Sequence, residues 1–313
     1  MSSWSVRPAT AADAAEIHEL LRVKAERLEA LDPRLRLTRM PRSGTSALVA
    51  VDADGTVGAH LLPELMELDE DDEMRSFAGD RAVTWRELAA SDTAAAAVLV
   101  DAVRVEGAGD ATLWPAAEEE AAPFFDLLGL EPVFAFALRD PGPLLPGPRA
   151  TVRLARPEDA DAVSALHVME VAFHEAHTPH VRVVPGLEPA FRSRLKQIWA
   201  GADGASIVHV LEVDGAVAGM CESMMHTVRD EGGQLPPGRY GYLNSVAVSA
   251  PLRGRGFGRT LVSTVIDDLA AYGVDGYSLW FALRNPLASR VWPQLGFRPL
   301  WISYERRVSP SLP

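Results

Sequence analysis

The sequence predicts an α/β protein in which one domain occurs twice in tandem. Two observations carry that expectation: a stretch near the start returns in the middle of the chain, and strand-like and helix-like segments alternate through the second copy. Size points the same way, because 313 residues exceed what one core comfortably holds and two domains of about 150 residues are the ordinary solution.

The repeat is explicit. "SVRPATAADAAEIHEL" at 5–20 matches "TVRLARPEDADAVSAL" at 151–166, pairing Val6 with Val152, Arg7 with Arg153, Asp13 with Asp159 and Leu20 with Leu166. The same offset carries Pro33 onto Pro179 and Arg36 onto Arg182, and "LWPAAEEEAAPFFDLLGLEP" resembles "LWFALRNPLASRVWPQLGFRP" further on. The proline-rich "DPGPLLPGPR" joins the copies as a semi-rigid linker, so residues 1–140, 141–149 and 150–313 form first domain, linker and second domain.

In the second copy "TVRLA" is β-rich, and "PEDADAVSALHVMEVAFHEAH" opens on proline and acids before apolar residues at helical spacing, so a helix follows a strand. "LEPAFRSRLKQIWA" supplies a second helix. "SIVHVLEVDGAVAGMCESMMHTV" is two strands joined at an Asp-Gly turn, and "YGYLNSVAV" is a third strand after a loop. Next come the helix "GRTLVSTVIDDLAAYG", the strand "YSLWFA", the short helix "NPLASRVWPQL" and a closing strand or pair of strands in "GFRPLWISYERRV".

Charge is distributed unevenly. Residues 1–145 hold 13 basic against 27 acidic side chains, a net of −14, whereas the remainder is +1. Such a first half repels polyanions, which argues against nucleic acid or an anionic membrane as partner. The acidic run "ELMELDEDDE" at 64–73 is expected to be a solvated loop. No membrane-length apolar run and no secretory leader are present, so a cytoplasmic location is expected. Cys221 is the only cysteine, which excludes an internal disulfide and a thiolate metal cluster and suggests a small buried side chain.

The segment "APLRGRGFGRTLV" at 250–262 follows a strand and opens a helix. Glycines allow close backbone approach, a helix N-terminus presents amides and a favourable dipole to anions, and Arg253, Arg255 and Arg259 can add charge-assisted bonds. The order G-x-G-x-G fits neither the Walker loop nor the nicotinamide fingerprint.

Arg253-x-x-Gly256-x-Gly258 after a strand, followed by "NPLASRVWPQLGF", resembles the pyrophosphate loop and the Asn-to-Gly-Phe signature of the GCN5-related N-acetyltransferases. The resemblance covers residues 150–308 and implies a mixed, mostly antiparallel sheet flanked by helices. It implies acetyl-CoA or another acyl-CoA as cosubstrate, no metal, and the primary amine of a small molecule as acceptor. Main-chain groups of Val246, Ala247 and Val248 would pair with the pantetheine. The amides of Gly254, Arg255, Gly256, Phe257, Gly258 and Arg259, helped by Thr260, would hold the pyrophosphate, and Asn285 and Ser289 would lie near the thioester end of the pantetheine or the nucleotide side. The first copy reads "AVTWRELAASD" before its matching helix, without glycine, and is expected to be a degenerate partner walling one side of the acceptor cleft. The fused arrangement also resembles mycothiol synthase. Since two such halves mimic the family's dimers, a monomer is expected, with a homodimer as the alternative.

The family's usual proton handlers are missing. Trp292 stands where a tyrosine commonly protonates the departing thiolate, and Asn244 and Ser245 stand where a glutamate commonly takes the amine proton. Glu222 is the nearest carboxylate that could act as base, and Tyr242 and Tyr304 could replace the acid, each against an ordinary packing role. "FHEAHTPHVRV" falls where the acceptor usually enters, so His174, His177 and Arg182 are acceptor-site candidates. With His180 the histidines could suggest a metal site, but Pro179 interrupts the helix between them. The rival function, in the absence of these acid and base residues, is a non-catalytic acyl-CoA-binding or regulatory module.

Overall fold

A computed structural model describes residues 4–41, 46–70, 72–178, 181–202, 206–229 and 233–307. The first half contains β1 (Ser5–Pro8), α1 (Ala14–Leu31), β2 (Leu48–Val51), β3 (Val57–Glu67), β4 (Arg81–Ala90), α2 (Thr93–Val103), β5 (Gly109–Pro115), α3 (Ala122–Leu127) and β6 (Glu131–Arg139). The second contains β7 (Thr151–Leu154), α4 (Ala160–Glu175), α5 (Leu187–Trp199), β8 (Ser206–Val213), β9 (Ala216–Val228), β10 (Gly238–Val248), α6 (Phe257–Ala270), β11 (Gly276–Ala282), α7 (Ala288–Gln294) and β12 (Arg298–Arg306). No helix among the described residues is long and apolar enough to cross a membrane.

The repeated residues have a physical job. Arg7 Nη1 donates to Asp13 Oδ2 at 2.7 Å, and Arg153 Nη1 donates to Asp159 Oδ2 at 2.7 Å. Each aspartate also accepts the backbone N–H three residues before it, so one carboxylate ties the opening strand to the first helix in both copies. The bidentate arginine beside Asp13 holds its carboxyl below the usual range.

The two halves do not build separate sheets. The twelve strands of the described residues form one mixed sheet in the order β1-β2-β3-β4-β5-β12-β6-β11-β10-β9-β8-β7. The last strand of each half is exchanged: β6 pairs with β11 and β12, while β12 pairs with β5 and β6. Ala135 and Ala137 of β6 accordingly join the core under α6, and Tyr304 of β12 joins the core under α2. Each half completes the other's core, so neither buries its apolar surface alone.

Within each half the sheet opens at a parallel pair that holds for only three residues. In the second half, Tyr240–Tyr242 of β10 pair with Gly276–Ser278 of β11; in the first, Ala82–Thr84 of β4 pair with Gly109–Ala111 of β5. Beyond those residues the strands diverge.

Candidate active site

Past Tyr242, the β11-facing edge of β10 has no strand partner among the described residues, although its other edge stays paired with β9 through Val248. The edge groups of Val246 and Val248 therefore lie along an open seam. Between Leu243 and Ser245 the β9 register shifts by one, placing Asn244 in a bulge of the kind that re-aims side chains next to active sites.

The seam leads to α6. Its N-cap, Gly256, has φ +87° and no side-chain cap, and Gly254 has φ +72°, both in the region that favours glycine. Among the described residues no acceptor takes the amides of Gly254 through Gly258, whereas Arg259 and Thr260 donate to the Gly256 carbonyl. These amides without a partner among the described residues lie at a helix N-terminus whose residues Gly254 to Gly256 are exposed, the arrangement that binds an anion. Arg253 is fixed by its Nε donating to the Val248 carbonyl at 3.1 Å and by its guanidinium lying 4.5 Å from the Phe173 ring centroid. Arg255 lies at the surface over the Phe257 ring, and half-buried Arg259 donates to the Gln294 carbonyl at 3.5 Å. Thr260 has a different role from the one expected: its hydroxyl donates to the linker carbonyl of Pro148 at 2.7 Å and braces the loop from behind.

The first half has the same strand opening but a closed helix end. Asp92 caps α2, its Oδ1 accepting from Ala94 N at 2.8 Å and Ala95 N at 3.0 Å. That carboxylate occupies the amides that an anion would need and repels one besides. At the place matching Glu170, Lys24 fills the interior, its Nζ donating to the Leu88 carbonyl at 2.6 Å and lying 4.3 Å from the Trp114 ring centroid. Burial pushes its pKa down to about 8.

A cleft of about 380 Å³ opens where β10 leaves β11. His167, Glu170 and His174 of α4, Tyr242, Asn244 and Ser245 of β10, and Trp280 to Ala282 of β11 line it. The exchanged strands add Phe134, Ser303 and Glu305, and the first half adds Glu73, Met74, Phe77 and Ala78. The acidic run thus ends in a 3₁₀ turn, Glu73–Ser76, at the wall of this cleft. Phe77 packs on Val171, Val181, Val184 and Leu187, which docks the turn on α4 and the start of α5.

Glu222 is fully buried and held on several sides. Arg194 Nε donates to its Oε1 at 2.7 Å, Asn244 Nδ2 donates to its Oε2 at 2.7 Å, and Arg194 also pairs with Glu73. So engaged, the carboxylate orients the bulge residue Asn244 rather than standing open to a proton. Tyr242 does line the cleft, and burial together with the Glu222 charge pushes its phenol up to about 12.

His174 lines the cleft with both ring nitrogens engaged. Asn285 Oδ1 accepts from Leu287 N and Ala288 N, so its Nδ2 donates to His174 Nδ1 at 3.3 Å, and His174 Nε2 then donates to Glu170 at 2.6 Å. Asn285 and Ser289, whose hydroxyl donates to the Asn285 carbonyl, fasten the start of α7. His177 packs at a tilt on Phe173, its ring centroid 4.4 Å away and outside the cleft lining, and Arg182 pairs with Asp80 across the halves. Pro179 and His180 lie outside the described residues.

Tyr304, a candidate acid, and Trp292, which stands at the family's acid position, both lie elsewhere. Strand alternation sends Ser303 and Glu305 into the cleft and Tyr304 to the opposite face, where its ring stacks on Phe125 at 4.3 Å in the first half's core. Trp292 packs edge-on against Phe297 at 5.5 Å, outside the cleft lining. Cys221 is buried, and burial pushes its thiol up, away from thiolate chemistry.

One site residue escaped the sequence reading. His167, 4% exposed, stacks on Phe191 at 4.1 Å and places Nδ1 3.2 Å from Ser245 Oγ in the cleft wall.

Comparison with known proteins agrees with this geometry. The profile of the acetyltransferase (GNAT) family matches residues 169–297. A GCN5-related N-acetyltransferase from Sphaerobacter thermophilus superposes with a TM-score of 0.56 at 16% identity over 99% of this chain and 97% of that one. The glucosamine N-acetyltransferase region of a fungal multi-domain β-N-acetylglucosaminidase superposes with a TM-score of 0.50 at 16% identity, over 97% of this chain and 38% of that one. A tandem GNAT protein from the clavulanic acid biosynthesis pathway gives 0.47 at 16% identity, covering 99% and 100%. No curated protein matches the sequence. Residues 169–297 in the second half thus match the GNAT family, and the fold of the whole chain is that of the Sphaerobacter protein. Members of that family generally use an acyl-CoA as cosubstrate.

Proposed function

We propose that the protein transfers an acyl group, most simply acetyl, from acyl-CoA to the primary amine of a small molecule by direct attack. The observation that carries this reading is the continuity of three features: the unpaired edge of β10, the uncapped N-terminus of α6 at one end of it, and the cleft at the other. In this reading the edge groups of Val246 and the amide of Val248 hold the pantetheine, the amides of Gly254 to Gly258 hold the pyrophosphate, and the thioester lies by Asn244 and Ser245. The acceptor occupies the cleft, where both halves meet it. Attack forms the C–N bond as the C–S bond breaks, and the coenzyme leaves as thiolate. Tyr242 stays protonated throughout the physiological range and is the cleft's own donor toward that thiolate. Positioning of amine and thioester in one cavity supplies the larger part of the acceleration.

A panel of small primary amines incubated with acetyl-CoA and followed by free-thiol release tests the reading. Thiol and acylated amine appearing in equal amounts for at least one acceptor is the expected result. Coenzyme binding with no thiol release for any acceptor returns the chain to the class of non-catalytic acyl-CoA-binding modules. Tyr304→Phe is expected to leave turnover within about twofold, since it keeps the stacked ring; a large loss assigns Tyr304 a proton role that its placement argues against.

A further inference from the structure

His167 is a buried polar side chain that the reading above does not use. It lies on the face of α4 that also carries Glu170 and His174, at positions three and seven residues on, and all three line the cleft. Phe191 of α5 covers one face of its ring, which fixes the imidazole plane. The Ser245 hydroxyl donates to Met220 Sδ at 3.8 Å, so its oxygen accepts from His167 Nδ1–H at 3.2 Å. That bond sets the tautomer and leaves the lone pair on Nε2. Nε2 in turn has no partner among the described residues, and buried polar atoms left so call for an explanation.

From this arrangement we infer that His167 is the general base of acyl transfer, its Nε2 taking the proton of the attacking amine directly or across one water. The inference rests on the proposed acyl-transfer function. As the amine nitrogen bonds to the thioester carbon, one N–H proton passes to Nε2. The C–S electron pair leaves with the coenzyme thiolate, and the imidazolium returns its proton to solvent. Ser245 is the positioning residue that keeps Nδ1 protonated, and it follows the bulge that brings Asn244 to the same cleft wall.

The surroundings keep the imidazole in its basic form. Burial lowers its affinity for a proton below the ordinary histidine value of 6.5; the charges of Glu170 on α4 and Glu222 on β9 oppose that shift, and Arg194 on α5 reinforces it. Tyr242 and Ser245 on β10 face it uncharged. The neutral base is therefore present at pH 7, and the rate is lost as pH falls through the lowered value.

The test compares wild type with His167→Gln and Ser245→Ala, measuring acetyl-CoA affinity and the pH dependence of kcat with two acceptors of different ammonium pKa. Wild type is expected to show an acidic limb below about 6.5 at the same place for both acceptors. His167→Gln is expected to bind acetyl-CoA within about twofold of wild type while kcat falls about 10²-fold or more and the limb disappears. Ser245→Ala is expected to lose a smaller factor and keep a displaced limb. A wild-type kcat and profile in His167→Gln overturns the base alone. If that variant does not fold, a wild-type kcat that stays flat below pH 6 with both acceptors overturns it equally. Absence of thiol release from wild type with every amine overturns the function on which the base rests.

Discussion

Gly256→Glu is expected to weaken acetyl-CoA binding by about 10²-fold or more. A phosphate held by the α6 amides makes charge-assisted hydrogen bonds worth about 1.5–3 kcal/mol each, and losing two of them gives a factor of that order. The substitution acts in two ways. A side chain at φ +87° is strained, and its Cβ would lie 2.9 Å from Pro148 Cδ, so the loop must shift away from the linker. The carboxylate would then compete for the amides, as Asp92 already does in the first half. Gly254→Glu separates these effects, because a Cβ there meets nothing within 4 Å. It should also lose affinity, through charge and its own positive φ, without the clash. Calorimetric titration checks both variants, with thermal unfolding as a control for folding. Wild-type affinity in both, with the fold intact, would move the coenzyme site away from this loop.

Glu222→Ala is expected to be the most destabilising single change in the cleft, at about 3–5 kcal/mol. The carboxylate is fully buried, and its removal leaves Arg194 with only Glu73 and leaves Asn244 without its acceptor. The penalty comes from an Arg194 charge left with half its compensation, so pairing the change with Arg194→Met should recover much of the stability while leaving turnover low. Urea unfolding midpoints of the single and double variants measure this. A single variant within about 1 kcal/mol of wild type would show that Glu222 is not the anchor of the bulge.

Much of this architecture is local, and local features are legible. Hydrophobic periodicity and turn chemistry locate the α-helices of the second half and its strands up to the closing one, which the sequence leaves as one strand or two, and the order Arg253-x-x-Gly256-x-Gly258 marks the open helix end. The exchange of β6 and β12 was not legible. Alternation in "VFAFALR" and "PLWISYER" says which side chains share a face, but strand neighbours are chosen by contacts far apart in sequence. Tyr304 illustrates the consequence: its parity with Ser303 and Glu305 was readable, yet only the β5–β12–β6 pairing decides that the even residue enters the first half's core.

His167 was missed because it sits inside "ALHVMEV", a run that reads as core helix. A signal existed in the polar residues at 167, 170 and 174, which return at helical spacing on the buried face and mark a wet stripe where a packed core would have none. Glu222 misled for the opposite reason. A carboxylate in a strand next to the expected reaction centre suggested a base, but the strand alone did not disclose that Arg194 comes from α5 to meet it.

The proposed function requires one coenzyme cradle per chain, in the second half, because α6 is uncapped and α2 is capped by Asp92. Calorimetric titration of the full chain with acetyl-CoA tests this most directly. One site per chain, abolished by Gly256→Glu and indifferent to Asp92→Asn, is the predicted result; two sites per chain, or one that survives Gly256→Glu and depends on residue 92, would contradict it.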